Sequence, residues 1–211
     1  GDCMSSPVDD EMKKNKHVGE QINQVSSYID AWAVYGGSDE RLDWLRSGVV
    51  DGDPTNNDAH LFLVDGYLPT VLDRPDALAS GIEAPDTDLM GRLFADPTQA
   101  IVAGDSRANE NIGLTAVHTL FAREHNRIVE ALPADLGEET KFQIARRVVG
   151  AIEQYVTYNE FLPAVGVALE AYEGYDSSVD PSITNEFATV GYRAHSQIHG
   201  EFELTVPAAD L

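Results

Sequence analysis

Apolar residues recur at steps of three and four along the second half of the chain, and this spacing predicts amphipathic helices. One helix is expected over 108–132 and a second over 138–158. A third is expected over 182–199, because Asp180 followed by Pro181 is a standard helix start. The core-facing positions predicted for the first two helices are Leu114, Val117, Phe121, Ile128 and Leu132, then Phe142, Ala145, Val149, Ile152 and Val156.

The first half of the chain predicts less helix. One helix is expected over 18–35 and ends at Gly36, and Ser38 is expected to cap a short helix that runs to about Arg46. Residues 49–105 contain several prolines and polar clusters, which predict a long ordered loop with short helical turns. Loops of this length usually have a function or wrap a cofactor. The predicted fold is mainly α-helical, with little or no sheet.

The charge of the chain restricts its partners. Its 211 residues include 36 acidic and 14 basic side chains, which gives a formal net charge of −22. Such a surface repels nucleic acid and anionic lipid headgroups, so we expect neither as a partner. The acidity suits a saline or extracellular environment, or it serves solubility alone. No apolar run is long enough to span a membrane, and Cys3, as the only cysteine, excludes an intrachain disulfide.

Arg107 and Glu110 are the first candidate site residues. They are three positions apart at the start of a predicted helix, so they share one helix face. A cation and a carboxylate placed in this way can both contact one bound molecule. The alternative is a solvated surface ion pair.

His195 is the second candidate. It shares a face of the predicted third helix with Ala188 and Gly191, and these small residues leave room for a flat macrocycle. Imidazole is a common axial ligand of haem iron. A buried structural histidine is one alternative. Another is a zinc or non-haem iron site that His195 forms with His199.

Four segments of the chain together resemble one known family. They are QINQVSSYIDAWAVYG (21–36), AGDSRANENIGLTAVHTLFAREHNR (103–127), TYNEFLP (157–163) and SVDPSITNEFATVGYRAHSQIH (178–199). Their order and content are similar to the animal-type haem peroxidases of the peroxidase–cyclooxygenase superfamily. Four ordered matches are far more specific than one short motif.

This resemblance implies a haem cofactor and hydrogen peroxide as the oxidant, with halide, thiocyanate or a small organic donor as the reductant. His195 matches the proximal iron ligand. Arg107 matches the distal arginine, whose fixed charge assists cleavage of the O–O bond. Glu110 matches the residue that forms an ester with a haem methyl group in the family. His118 and His125 fall at positions that the family uses structurally.

The resemblance also implies a calcium site. Ser26, the Tyr28 carbonyl and Asp30 match calcium ligands of the family, and hard oxygen ligands suit Ca²⁺. Trp32 stands where the family usually has a serine hydroxyl. Asp30 has an alternative role as a local hydrogen-bond acceptor.

Two other functions remain open at this point. Tyr192 lies three residues before His195, at the spacing of the radical tyrosine in the fatty-acid oxygenase branch, although it also suits simple packing. Against that branch, GDSRANEN is typical of the peroxidases. The other possibility is a non-catalytic adhesion or binding module on a peroxidase fold.

The family's distal histidine belongs to a segment that would precede residue 21, and no matching motif is present there. The family's asparagine that orients the proximal histidine would follow Leu211. We therefore expect residues 1–211 to be one partial haem peroxidase domain, with the rest of the domain absent from this chain. We expect this segment alone to be weakly active or inactive, and the full protein to be secreted.

Overall fold

The structure is a computed structural model that describes residues 25–191. It is mainly helical, as predicted. Residues 25–175 form one compact unit, and residues 176–191 belong to a second. No described helix is both long enough and apolar enough to cross a lipid bilayer. The α-helices are α1 (Trp32–Tyr35), α2 (Asp39–Leu45), α3 (Pro75–Ala79), α4 (Ile112–Ala131), α5 (Glu138–Val156) and α6 (Leu162–Ala164).

Short turns and isolated bridges complete the described architecture. Strand-like pairing within residues 25–191 is limited to the bridges Arg46–Leu61, Val64–Tyr67 and Thr70–Ile101. The 3₁₀ turns are Pro54–Asn56, Val71–Asp73, Gly91–Phe94, Pro97–Gln99 and Ser106–Asn109, and the π-helical turns are Thr157–Phe161 and Phe187–Gly191.

The predicted helix over 18–35 is wrong over residues 25–31 and confirmed over residues 32–35. Residues 25–31 form bends, and α1 begins only at Trp32. Asp30 Oδ1 accepts a hydrogen bond from the Trp32 backbone N–H at 3.1 Å, and Ala31 has a left-handed backbone with φ 61°. A residue in that conformation interrupts a helix, so the apolar spacing was misleading here. Gly36 ends α1 as predicted, with φ 80°.

The second short helix agrees with the prediction. The Ser38 side chain accepts a hydrogen bond from the Arg41 N–H at 3.2 Å, and α2 ends just before Arg46. The long loop that follows is ordered with short helical turns, as expected. Arg74 is buried within it and donates to the carbonyl oxygens of Trp44, Arg46 and Gly48 at 2.8–3.1 Å. One guanidinium therefore joins the end of α2 to the loop that follows it, by donating to three main-chain carbonyls.

The helices α4 and α5 pack against each other around the core. The start of α4 differs from the prediction because Asn111 is extended and its side chain accepts a hydrogen bond from the Leu114 N–H at 2.8 Å. Its buried face is also rotated from the predicted one, since Val117 is exposed while His118 and Thr119 are buried. The buried residues of the pair are His118, Thr119, Ala122, His125, Ile128 and Val129 on α4, with Phe142, Ala145, Val149 and Gly150 on α5.

The chain after α5 also departs from simple periodicity. The π-helical turn Thr157–Phe161 precedes Pro163, which has no N–H to donate and cannot continue regular α-helical bonding. In the second unit, the predicted start at residue 182 is wrong. The Asp180 side chain accepts a hydrogen bond from the Ser182 N–H at 2.9 Å, but no helix begins there. Helical residues begin after Thr184, whose Oγ1 accepts a hydrogen bond from the Phe187 N–H at 3.2 Å.

Candidate functional site

Arg107 lies on the 3₁₀ turn Ser106–Asn109 and is held by the carboxylate two residues before it. Its Nε donates to Asp105 Oδ1 at 2.9 Å and its Nη2 donates to Oδ2 at 2.6 Å. The Arg107 backbone N–H also donates to Oδ1, at 2.9 Å. The side chain of Arg107 is 51% exposed, whereas that of Asp105 is 11% exposed. Asp105 thus holds the guanidinium from its buried side, and about half of the Arg107 side chain is exposed.

The electrostatics of this pair keep both members charged. Burial alone would raise the pKa of the Asp105 carboxyl, but hydrogen bonds from Arg107 and the charges of Arg107 and His118 outweigh it. The pKa of Asp105 therefore lies below its ordinary value. A bidentate arginine–carboxylate pair also fixes the orientation of the planar guanidinium.

The loop that carries the pair is tied to its surroundings through the main chain. The Asp105 N–H donates to the Ala33 carbonyl at 3.0 Å, and Arg41 donates to the Ala103 carbonyl at 2.7 Å. At Gly104 an added Cβ would lie 2.5 Å from the Val34 carbonyl carbon. Only glycine allows this close approach of the loop to the backbone of α1.

Glu110 completes the turn. Its N–H donates to the Arg107 carbonyl at 2.9 Å, so the predicted one-turn spacing of the two side chains is confirmed. Glu110 is exposed, and its carboxylate accepts no hydrogen bond from the described part of the chain. An arginine and a carboxylate are therefore both presented at the start of α4.

The two histidines of α4 are buried and structural in character, as the sequence suggested. His125 lies between the Tyr35 hydroxyl and the Ala59 carbonyl, each at 2.8 Å. In His118, Nδ1 lies 2.8 Å from the Leu114 carbonyl, which makes this nitrogen the donor. The other nitrogen of His118, Nε2, is buried and has no hydrogen-bond partner among residues 25–191.

The predicted calcium ligands are close in sequence and engage the backbone locally. Ser26 Oγ accepts from the Tyr28 N–H at 3.1 Å, and Asp30 Oδ1 accepts from the Trp32 N–H at 3.1 Å. Asp30 lies against α5, where a Cβ added at Gly150 would be 3.7–3.9 Å from its main-chain atoms. Burial, and after it the charge of Asp30, raise the pKa of Glu153 to about 7. No group of three or more acidic, histidine or cysteine side chains within residues 25–191 is arranged to hold a metal.

The remaining site residues, His195 and Tyr192, lie outside the described residues, as does His199. Sequence reasoning missed the roles of Asp105 and Gly104. The signal for Asp105 was present, since an aspartate two residues before an arginine at the start of a turn can accept hydrogen bonds from its backbone and side chain. The contact at Gly104 involves α1, which is distant in sequence, and no local pattern indicates it.

Comparison with known proteins shows the family of the chain. The chain matches the animal haem peroxidase family over residues 2–209. The chain belongs to this family. Thyroid peroxidase of Sus scrofa is 37% identical over 85% of this chain and 20% of its own length. Peroxidasin homolog pxn-2 of Caenorhabditis elegans is 35% identical over 85% of the chain and 14% of its own length. Peroxidasin of Drosophila melanogaster is 36% identical over 82% of the chain and 11% of its own length. The chain spans a fifth or less of these relatives.

Proposed function

We propose that the full-length protein is a haem-dependent peroxidase that uses hydrogen peroxide to oxidise halide, thiocyanate or small organic donors. Membership of the animal haem peroxidase family supports the reaction class. The observation that carries the proposal is the Arg107 guanidinium, fixed by the Asp105 carboxylate at 2.6–2.9 Å and half-exposed beside Glu110. A permanent cation held in this way stabilises negative charge that develops on a departing oxygen.

The residues present fit a haem. His195 would bind its iron, and the Glu110 carboxylate, which is exposed and accepts no hydrogen bond from the described residues, would lie at the haem edge. An ester between this carboxylate and a haem methyl group would require a two-electron oxidation, which hydrogen peroxide would supply as it is reduced to water. When bound, the haem supplies the redox-active iron at which peroxide is reduced. Arg107 would orient peroxide and hold positive charge near the oxygen that leaves. Because Asp105 fixes the guanidinium, little reorganisation is needed when that charge appears.

We propose calcium as a second, structural cofactor of the full-length protein. Ser26, the Tyr28 carbonyl and Asp30 would contribute oxygen ligands, and the hardness of these oxygens supports Ca²⁺. The Trp32 side chain offers no oxygen, so other ligands would come from elsewhere in the full-length protein. Chelation should lower its thermal stability, and calcium should restore it more fully than magnesium does.

The peroxidase proposal is tested on the full-length polypeptide purified with haem. His195→Ala should abolish the imidazole-ligated Soret spectrum. Arg107→Lys should keep the haem but slow the reaction with peroxide by about 100-fold, as expected for loss of an oriented donor. Arg127→Lys is the matched control, because Arg127 lies on the exposed surface of α4 and pairs with Glu124. An unchanged peroxide rate in Arg107→Lys would refute the role given to Arg107.

The same preparation separates the other functions. The relatives compared above are a thyroid peroxidase and two peroxidasins, which favours a peroxidase. Oxygen uptake that depends on linoleate and is lost in Tyr192→Phe would instead indicate a fatty-acid dioxygenase. Failure to bind haem would indicate an adhesion or binding module. An extracellular location is proposed with the peroxidase function and is testable by detecting the protein in culture medium.

A further inference from the structure

We propose that Asp105 is a positioning residue that sets the orientation of Arg107, and that the contact between Gly104 and α1 holds Asp105 in place. This inference rests on the proposed peroxidase function, because it concerns how Arg107 is made ready to act. It adds a residue for which the sequence analysis assigned no role.

Asp105 contacts Arg107 at three donors, which is more than charge neutralisation requires. The backbone N–H fixes the start of the turn, while Nε and Nη2 fix the guanidinium plane. Both carboxylate oxygens are used, so rotation of the guanidinium breaks at least one short hydrogen bond. The pair therefore defines one direction for the exposed edge of Arg107.

The position of Asp105 is itself fixed by the main chain. The Asp105 N–H donates to the Ala33 carbonyl at 3.0 Å, and Asp105 is almost fully buried. The preceding Gly104 touches the backbone of Ala33, Val34 and Gly36, where an added Cβ would lie 2.5–2.6 Å from main-chain atoms. Main-chain atoms of a helical turn cannot move aside as a flexible side chain can. The anchor of Arg107 is thus packed directly against the backbone of α1.

The chain offers a matched control at Asp53. Like Asp105, it precedes a 3₁₀ turn and accepts a hydrogen bond from the backbone N–H two residues later, here that of Thr55 at 2.9 Å. It is exposed and contacts no arginine among the described residues. Asp53→Asn therefore removes the same charge from the same type of turn without affecting a guanidinium.

The experiment uses the full-length, haem-loaded protein. Asp105→Asn keeps the size of the side chain but replaces one acceptor with an amide NH₂ that cannot accept from Nη2. We expect normal haem content, an unchanged KM for the reductant, and a rate constant for reaction with peroxide about 10- to 100-fold lower. Fluoride binding to the ferric protein, followed by its spectrum, should weaken in parallel, because an oriented donor stabilises a bound anion. Asp53→Asn should match the wild type in all four measurements.

A second variant and a double mutant make the result decisive. Asp105→Glu keeps the charge but displaces the carboxylate by one methylene group, and we expect the same kinetic loss with a normal fold. If Asp105 acts through Arg107, Asp105→Asn should add little to the loss already caused by Arg107→Lys. A slow Arg107→Lys variant beside a fast Asp105→Asn variant overturns this inference alone. Wild-type rates in both variants overturn the proposed role of Arg107 as well.

Discussion

The hydroxyl of Tyr35 donates a hydrogen bond to Nδ1 of His125 over 2.8 Å, and this contact joins α1 to α4 inside the core. The direction of this hydrogen bond follows from the contact that the other ring nitrogen of His125 makes. Nε2 lies 2.8 Å from the Ala59 carbonyl, which only accepts, so Nε2 carries the proton and Nδ1 accepts. Burial raises the pKa of Tyr35, which keeps its hydroxyl protonated. Phe142 of α5 packs against both rings at 5.1–5.7 Å.

Removal of that hydroxyl should destabilise the protein. Tyr35→Phe leaves Nδ1 of His125 buried without a donor, and we expect a loss of about 1–2 kcal/mol in the free energy of unfolding. Denaturant unfolding monitored by circular dichroism measures the change. Tyr155→Phe is the control, because Tyr155 is exposed on α5 and should change stability by less than about 0.5 kcal/mol. Equal effects of the two substitutions would argue against the assigned hydrogen bond.

His125 should make stability depend on pH. Burial, as the largest cause, lowers its pKa from 6.5 to about 4 in the folded protein. Between these values the unfolded chain binds a proton that the folded protein does not, so folding loses stability as pH falls. The contribution of His125 to the free energy of unfolding is complete above about pH 6.5. It decreases toward pH 4 by at most about 1.4 kcal/mol per pH unit.

Comparison with a non-titrating variant isolates this effect from the many carboxylates. His125→Gln can still donate to the Ala59 carbonyl and accept from Tyr35. The unfolding free energy of the wild type should therefore fall more steeply than that of the variant between pH 6.5 and pH 4. Parallel curves would show that His125 does not titrate as described.

The buried guanidinium of Arg46 donates to several acceptors at once because its N–H groups point in different directions. It donates to the carbonyls of Asp58 and Asn57 at 3.0 and 3.1 Å and to Glu139 at 2.6 Å, and it lies 3.9 Å above the ring of Phe142. Lysine keeps the charge but cannot satisfy these acceptors together. We expect Arg46→Lys to cost about 2–4 kcal/mol in thermal or denaturant unfolding.

The control for Arg46 is the exposed pair of α4. Arg127 is bidentate to Glu124 at 2.7 Å, so its geometry resembles that of a strong pair, but solvent screens it. Arg127→Lys should change stability by less than about 0.5 kcal/mol. A comparable loss at both positions would mean that burial does not decide the outcome.

Gly104→Ala should separate α1 from the loop that carries Asp105. The added methyl group would meet the main-chain atoms of Val34 and Gly36 at 2.5–2.6 Å, and we expect a loss of about 2–3 kcal/mol. Gly137→Ala is the control, since nothing lies within 4 Å of a Cβ there. Gly137→Ala should lower the free energy of unfolding by about 1 kcal/mol or less, because Gly137 is only the N-cap of α5. Differential scanning calorimetry distinguishes the two outcomes.

Sequence periodicity predicted the long helices well and the irregular segments poorly. The helix α5 agrees because Phe142, Ala145 and Val149 are apolar, buried and regularly spaced. On α4 the apolar pattern selected Val117, whereas the buried face includes His118 and Thr119, whose Nδ1 and Oγ1 atoms donate to carbonyls of their own helix. Hydrophobicity alone does not detect a polar side chain that is satisfied locally.

The candidate site was predictable in part. The three-residue spacing of Arg107 and Glu110 indicated a shared turn, and the structure has that turn. The clamp on Arg107 depends on Asp105 and on the contact of Gly104 with α1, about 70 residues earlier in the chain. A contact between such distant segments follows from tertiary packing, which no local pattern contains. The roles of His195 and Tyr192 stay predictions.

Two asparagines impose a chemical requirement on the long connection between α2 and α4. The Asn109 side chain accepts from the Ile101 N–H and donates to its carbonyl, at 3.0 and 2.9 Å, and Asn126 does the same at Leu61, at 2.8 and 2.9 Å. Each carboxamide reproduces the bonding of a neighbouring strand at a single residue. Deamidation to aspartate would turn the donor into a second acceptor that faces a carbonyl oxygen. Slow chemical ageing at Asn126 would therefore weaken the bond between α4 and the loop at Leu61, and at Asn109 the bond between the turn Ser106–Asn109 and Ile101.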